Sequence, residues 1–305
     1  MKPVLRVFLI GAPLAVVAAV IFGSGGGSGV LADHPPSYPG QSSAPDPLAS
    51  GDSKDNEELE DRIRAMPAGL ADPGKKEIAG KLVASAENST LDWRSQYGVI
   101  GDVGDGNGYT AGIIGFCSGT NDMLRLVESY TESHPDNPLA PYLPALREVD
   151  GTDSHQGLDP GFREAWAKAA EDQDFRDAQV ATRDRLYFDP AVRLGKMDGL
   201  GTLGQFVYYD AMVLHGPGVD AQGFYGIRQA AMKKAKTAAE GGDEKAYLNA
   251  FMDESRSVIK LKFIKTQRDS SRIDTAQRVF LRDGNTNLDP PLVWQMYGDT
   301  FRIEE

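Results

Sequence analysis

The sequence predicts an α+β fold, mostly helical, with one small β-sheet set among the helices. Three observations carry that prediction. Apolar residues recur at helical spacing through most of the chain from about residue 67 onward, the signature of helices that bury one face. Residues 97–117 break that rhythm by alternating glycines with β-branched and aromatic residues, which suits a short antiparallel hairpin or small sheet. The composition is that of an ordinary soluble globule, 41% apolar and 25% charged over 305 residues, so a sizeable core can form.

The elements follow in chain order. Residues 1–32 have the layout of a secretory signal: a basic start through Arg6, an apolar run from Val7 to Phe22, and a small-residue exit at Val30-Leu31-Ala32. The apolar run is shorter than the ~20 residues a spanning helix needs, so export and cleavage near Ala32 are expected, with an extracellular product. Residues 33–66 are rich in Pro, Ser, Gly and Asp and read as a disordered linker, with at most a frayed helical turn or two at 57–65. The folded domain is expected over 67–305. Asp72-Pro73 caps a first helix whose Ile78, Leu82, Val83 and Ala86 share one face. Asn121 or Asp122 opens another, with Met123, Leu124, Leu126, Val127 and Tyr130 periodic. Further helical runs are expected at 161–171, 174–187, 190–214, 243–265 and 274–282. A helical domain with a small sheet after its first long helix is the architecture of lysozyme-like, two-lobed enzymes, with the sheet beside a cleft.

Charge and rare residues narrow the function. With 44 acidic against 32 basic residues, the formal net charge is −12, which argues against nucleic acid as a partner. An acidic surface suits a polycation, although solubility alone also accounts for it. The one cysteine, Cys117, has apolar neighbours and no activating base nearby in sequence, so it reads as an inert buried thiol. His34 lies in the linker, and His134 and His155 precede loop-like stretches; no two histidines have zinc spacing, so neither a metal nor a cofactor is implied. Trp93 and Trp166 sit beside apolar helical positions and read as core.

Two carboxylates stand out. Glu87, in the stretch Ser85–Trp93 (SAENSTLDW), falls where the first helix should end. The helix terminus carries partial negative charge and disfavours another, and partial burial acts in the same direction, so Glu87 is set to hold a proton as a general acid must. Asp105 lies between Gly104 and Gly106 in a glycine-dense turn open to water. It should stay ionised and could activate a water, with the Thr110 hydroxyl nearby to hold it. Unlike surroundings for two carboxylates are what glycoside hydrolysis requires. The bland alternatives are a helix-ending glutamate and a plain Asp-Gly hairpin turn. A calcium loop starting at Asp105 is rejected, because Tyr109 and Phe116 stand where ligands would be needed.

The blocks SAENSTLDW, GDGNGYTAGIIGFCSGTNDM, YFDP from Tyr187, GQFVYYD from Gly204, HGPG from His215, RIDTAQRVFL from Arg272 and LDPPLVW from Leu288 together resemble the secreted bacterial chitosanases of glycoside hydrolase family 46. The resemblance spans nearly the whole body. It implies Glu87 as general acid, Asp105 as general base of an inverting endo-hydrolysis of chitosan, and Thr110 as the residue positioning the water. It further implies Asp122, Asn88 and His215 as substrate contacts, Asp122 by pairing with a glucosamine ammonium group; for His215, capping a helix end is an equal alternative. Asp210, in a strongly apolar helix, must be paired if buried, and the resemblance implies Arg256 and Arg272 as its partners in an ion network behind the cleft. A monomer acting on polycationic chitosan, without nucleic acid or stable membrane association, is the expected form. Asn107 stands where many relatives carry arginine, Gly101 where a familiar relative has glutamate, and Lys260–Lys265 is basic where some relatives are acidic. These departures bear on affinity and cleavage preference rather than on reaction class. Two rivals remain: a polysaccharide-binding protein without activity, and a lytic glycosidase acting on peptidoglycan or chitin.

Overall fold

Helix dominates the described chain, residues 53–262 and 269–305 of a computed structural model, all within one compact unit. The signal expected at 1–32, the linker up to residue 52 and residues 263–265 of the basic stretch lie outside the described residues. The first helix, α1 (Ser53–Ala65), falls inside the segment expected to be linker. Its Ile63 is buried, and Glu60 pairs with Arg193 at 2.5 Å. Average composition hid this, because one apolar residue and one ion pair are enough to dock a short helix on a neighbour. The expected linker boundary at residue 66 is therefore corrected: residues 53–66 belong to the described fold.

Helix α2 (Pro73–Asn88) starts as its sequence predicts, with the Asp72 carboxylate accepting from the Gly74 and Lys75 amides and Pro73 in the first turn. Three short antiparallel strands follow: β1 (Ile100–Asp102), β2 (Tyr109–Ala111) and β3 (Phe116–Cys117), with β2 central. Thr110 is the pivot of this sheet, opposite Gly101 on one side and Cys117 on the other. Then come α3 (Asp122–Ser133), α4 (Leu143–Val149), α5 (Phe162–Ala169) and α6 (Gln173–Arg183). A π-helical turn, Asp184–Phe188, runs α6 directly into α7 (Asp189–Met197).

The helix expected over 190–214 is two helices. α8 (Thr202–His215) begins only after a break at Asp198–Gly201. Gly199 enforces that break: its φ is +73°, and a Cβ there would lie 2.8 Å from the Ala239 amide nitrogen. Almost every residue of α8 is buried. Its Phe206, Val207, Tyr208, Tyr209 and Met212 form the middle of the core. Around it lie α7, α9 (Phe224–Met232) and α10 (Glu244–Lys262). A second π-turn, Arg272–Gln277, leads into α11 (Arg278–Arg282), and a hairpin of β4 (Leu292–Met296) and β5 (Asp299–Ile303) closes the chain. The alternation of buried and exposed residues in β4 was legible in the sequence as a strand but falls within a block read only for its resemblance. Trp166 and Trp93 are core residues, as expected, and Trp294 joins them.

Replacing Ile63 with Ala tests the docking of α1. Losing a buried aliphatic side chain at the edge of the core should cost about 2 kcal/mol, lowering Tm by roughly 4–8 °C for a domain of this size. Thermal unfolding followed by circular dichroism measures it, and an unchanged Tm would mean that α1 contributes nothing to the folded unit.

Candidate active site

Glu87 is the penultimate residue of α2, just before Ser89 turns left-handed at φ +51° and ends the helix. The helix is held from behind by Ser85, fully buried, whose hydroxyl donates to the Leu82 carbonyl and accepts from the Trp294 indole. This fixes the height of Glu87 against the C-terminal hairpin. Only 10% of its side chain is exposed, and its Oε1 lies 2.5 Å from Nη2 of Arg272.

Arg272 is itself 3% exposed, and its Nε lies 3.7 Å from the equally buried carboxylate of Asp210. Asp210 also accepts a 2.7 Å hydrogen bond from the side-chain amide of Gln277. Residues 272 and 277 would point some 140° apart in an α-helix of 3.6 residues per turn. The π-turn, which bonds i to i+5, brings them onto one face. Sequence reasoning missed Gln277, and its position five residues after Arg272 carries no helical-period signal.

The electrostatics follow from this geometry. Burial raises the carboxyl of Asp210 to about 6, against the pull of Arg272 and with the push of the Glu87 charge. Burial works against the charge on Arg272, yet the two carboxylates hold its ionisation higher than usual. Among the described residues, two carboxylates thus share one buried guanidinium. Such a cluster is neutral only when it binds one proton, and that proton belongs to the pair rather than to either residue. The sequence argument for a proton-holding Glu87 rested on burial and the helix end. Arg272 acts against that argument, and Asp210 competes with Glu87 for the same guanidinium.

The second candidate centre is the sheet. Asp105 is half-buried in the turn between β1 and β2, and its Oδ1 accepts from the Asn107 amide at 3.1 Å. Gly104 and Gly106 flank it at φ +71° and +88°, and a Cβ on either would meet nothing within 4 Å. They serve the backbone conformation, not close packing. Thr110 is half-buried, with Oγ1 3.4 Å from the Cys117 sulfur. Burial pushes the Cys117 thiol up, with the charges of Asp122 and Asp105 adding to it, so the thiol is inert. At Gly101, opposite Thr110, a Cβ would likewise find open space.

Three expectations change. Asp122 is 6% exposed, and both its oxygens are taken. Oδ1 accepts from the Cys117 amide, the Thr120 hydroxyl and the Met123 amide, and Oδ2 from the Tyr187 hydroxyl. It ties the third strand to the start of α3 rather than presenting a carboxylate to an ammonium group. His215 is buried at the end of α8, with Nε2 2.9 Å from the Ser255 hydroxyl, and is likewise no exposed sugar contact. Arg256 pairs with Asp274 at 2.8 Å, not with Asp210, because the Asp210 carboxylate is already occupied by Arg272 and Gln277. Asn88 is half-buried beside Glu87, and its Nδ2 is buried without a hydrogen-bond partner. Its side chain retains an unused donor. Elsewhere among the described residues, His134, Asp172 and Asp174 bring possible metal-ligand atoms within 4.8 Å of one another, a grouping the histidine spacing did not reveal. There Asp172 accepts from the Tyr130 hydroxyl, and His134 faces Asp174 at 3.0 Å.

The sequence profile of glycosyl hydrolase family 46 matches residues 81–292. A chitosanase from a Streptomyces species is 59% identical over 236 residues, 77% of this chain and 84% of that protein. A Nocardioides chitosanase is 57% identical over 240 residues, 79% and 85% of the two lengths. The co-crystal structure of a chitosanase with substrate is similar at a TM-score of 0.76 and 52% identity, covering 78% of this chain and 100% of that one. The mostly helical, lysozyme-like architecture read from the sequence agrees with these neighbours.

Asp122 provides a test through stability. Burial raises its carboxyl to about 6 despite four donated hydrogen bonds, above the ~3.9 of an unfolded chain. A raised folded value means stability that is complete below pH 4 and lost as pH rises through 6. Asp122→Asn has no charge to bury, so its stability relative to wild type should improve between pH 4.5 and 7 by about 2 kcal/mol. Urea denaturation at the two pH values measures this, and a constant difference would contradict the buried, titrating carboxyl.

Proposed function

The chain belongs to glycosyl hydrolase family 46, and from that premise we propose that it is an endo-acting, inverting chitosanase. Its substrate is chitosan, cut at β-1,4 links between glucosamine units. Glu87 donates the proton to the leaving oxygen. Asp105 removes a proton from the attacking water, and Thr110 orients that water with its hydroxyl. The observation that carries the reading is the contrast between the two carboxylates. Glu87 is almost enclosed and shares one buried guanidinium with Asp210, an arrangement that favours retention of a proton. Asp105 sits in an open glycine turn with one backbone hydrogen bond, an arrangement that favours an ionised base beside water. Acid and base separated in this way, on a helix end and on a hairpin, suit a cleft that admits a water between them.

The remaining proposals concern partner and place. The net charge of −12 favours a polyamine over neutral chitin or peptidoglycan, since carboxylates along a cleft attract ammonium groups. With the loss of Asp122 and His215 as direct contacts, Asn88 is the remaining proposed binder next to the acid. Residues 1–32 are proposed as an export signal, and the protein as a secreted monomer.

Proton NMR of the first-formed oligosaccharides tests inversion: β-links should release α products before mutarotation, and early β product would recast Asp105 as a nucleophile. In the same assay Glu87→Gln should lose at least 10³–10⁴ of the hydrolysis rate, the upper range for removal of a sole general acid. Near-normal turnover would remove Glu87 from its role.

Asp210→Asn tests the shared proton. Without the Asp210 charge, Arg272 no longer divides its own between two carboxylates, which should favour the ionised form of Glu87. The alkaline limb of kcat should move down from its wild-type position, and activity at neutral pH should fall about 10²-fold. A pH–rate profile measures both effects. A profile identical in shape and position to that of wild type would show that Glu87 holds its proton without help from Asp210.

A further inference from the structure

The loop that carries Asp105 packs little of itself against the protein. Gly104 and Gly106 have open space where a side chain would be, and both, with Gly108, adopt positive φ. Its position must therefore be inherited from the neck where β1 becomes loop and loop becomes β2. The last paired residues of that neck are Asp102 and Tyr109. On the exit side, the Ser118 hydroxyl accepts from the Tyr109 amide and the Asn107 carbonyl accepts from the Gly119 amide. On the entry side, Asp102 Oδ1 accepts from the Gly104 amide at 2.7 Å. Beside Asp102 lies His155, whose Nε2 faces the carboxylate without forming a hydrogen bond.

The His155 ring lies flat on Tyr109, with centroids 4.0 Å apart and planes within 9°. Its Nε2 is 3.4 Å from Asp102 Oδ2, and its Nδ1 is 3.9 Å from Asp159 Oδ2. Asp159 in turn accepts a 2.7 Å hydrogen bond from the Tyr109 hydroxyl. A phenyl ring would stack on Tyr109 as well. Only an imidazole also offers a nitrogen at each end, one toward the strand that enters the loop and one toward Asp159, just before α5.

We propose that His155 is a positioning residue for the catalytic base, clamping the neck of the Asp105 loop to Asp159 through Asp102 and Tyr109. The proposal rests on the reading of Asp105 as the base. The clamp does not touch substrate, so its loss should change how well the loop presents Asp105, not how well the cleft binds chitosan. A displacement of about 1 Å at a reacting group can cost up to 10²-fold. The pairs here are partly exposed, so a loss of about tenfold is expected.

The experiment compares His155→Phe, Asp102→Asn, the double variant and Asp105→Asn for kcat and KM on chitosan and for Tm. His155→Phe keeps the stack and loses both nitrogens; Asp102→Asn keeps an acceptor for Gly104 and loses the charge facing His155. Each should lower kcat about tenfold with KM within twofold and Tm little changed, and the double variant should lose no more than the worse single one. Asp105→Asn should be essentially inactive. If Asp105→Asn stays active, the base lies elsewhere and that reading falls, whatever the others do. If Asp105→Asn is dead but His155→Phe and Asp102→Asn keep kcat within twofold, or their losses multiply, the clamp is refuted. Should His155→Phe fold poorly, Asp102→Asn alone decides by the same criterion.

Discussion

The rest of this structure depends on one buried cation. Arg272 lies between Asp210 and Glu87, nearly sealed from solvent, and the elements that surround it are those that make the site. Helix α8 supplies Asp210 from the middle of the core, α2 supplies Glu87 from its last turn, and the π-turn supplies Arg272 and Gln277 together. The final hairpin fits onto this arrangement. Thr275 of the π-turn donates to the Gln295 carbonyl of β4, and Trp294 reaches Ser85 two residues before Glu87. A buried ion cluster of this kind is a poor way to gain stability, since apolar residues of similar volume often do as well or better. Its Nη1 and Nε make no hydrogen bond, which adds to the cost. What no apolar replacement could give is a charged partner for Glu87.

The charge state of this cluster is a matter of stoichiometry. One carboxylate beside one guanidinium would be held ionised. Two carboxylates beside one guanidinium, in a region where burial penalises net charge, retain a proton into the weakly acidic range. Gln277 keeps the balance from tipping further, because its amide hydrogen bond stabilises the charged form of Asp210 while burial opposes it. The neutral amide adds no charge of its own. It adjusts where the shared proton resides without changing how many protons the cluster binds.

Local signals were legible and tertiary ones were not. The start of α2, the strands near 97–117 and the start of α3 at Asp122 were readable, because cap residues, glycine punctuation and apolar period are properties of adjacent residues. The division at Asp198–Gly201 was missed because the demand at Gly199 comes from Ala239, forty residues away. Helix α1 was missed because its anchoring partner, Arg193, lies 133 residues from Glu60 in sequence. The same limit governs the site. The two carboxylates could be singled out from helix-end and turn chemistry. The partners of Asp210, His215 and Arg256, and the Tyr187 partner of Asp122, could not, since each comes from a distant part of the chain. Arg256 illustrates it: a cation of the right type for a buried aspartate, yet committed to Asp274.

The two halves of the site differ in stiffness, and the difference follows from burial. Moving Glu87 would unpair a guanidinium and two carboxylates that are nine-tenths or more buried, at a cost of about 3–5 kcal/mol for breaking such a pair. Moving the Asp105 loop would disturb contacts of His155 with Asp102 and Asp159 whose members are a quarter to a half exposed, each worth at most about 1 kcal/mol. Glycines at positive φ allow the loop backbone to shift without steric penalty from side chains. A change in the separation of these two carboxylates is therefore far cheaper at Asp105 than at Glu87.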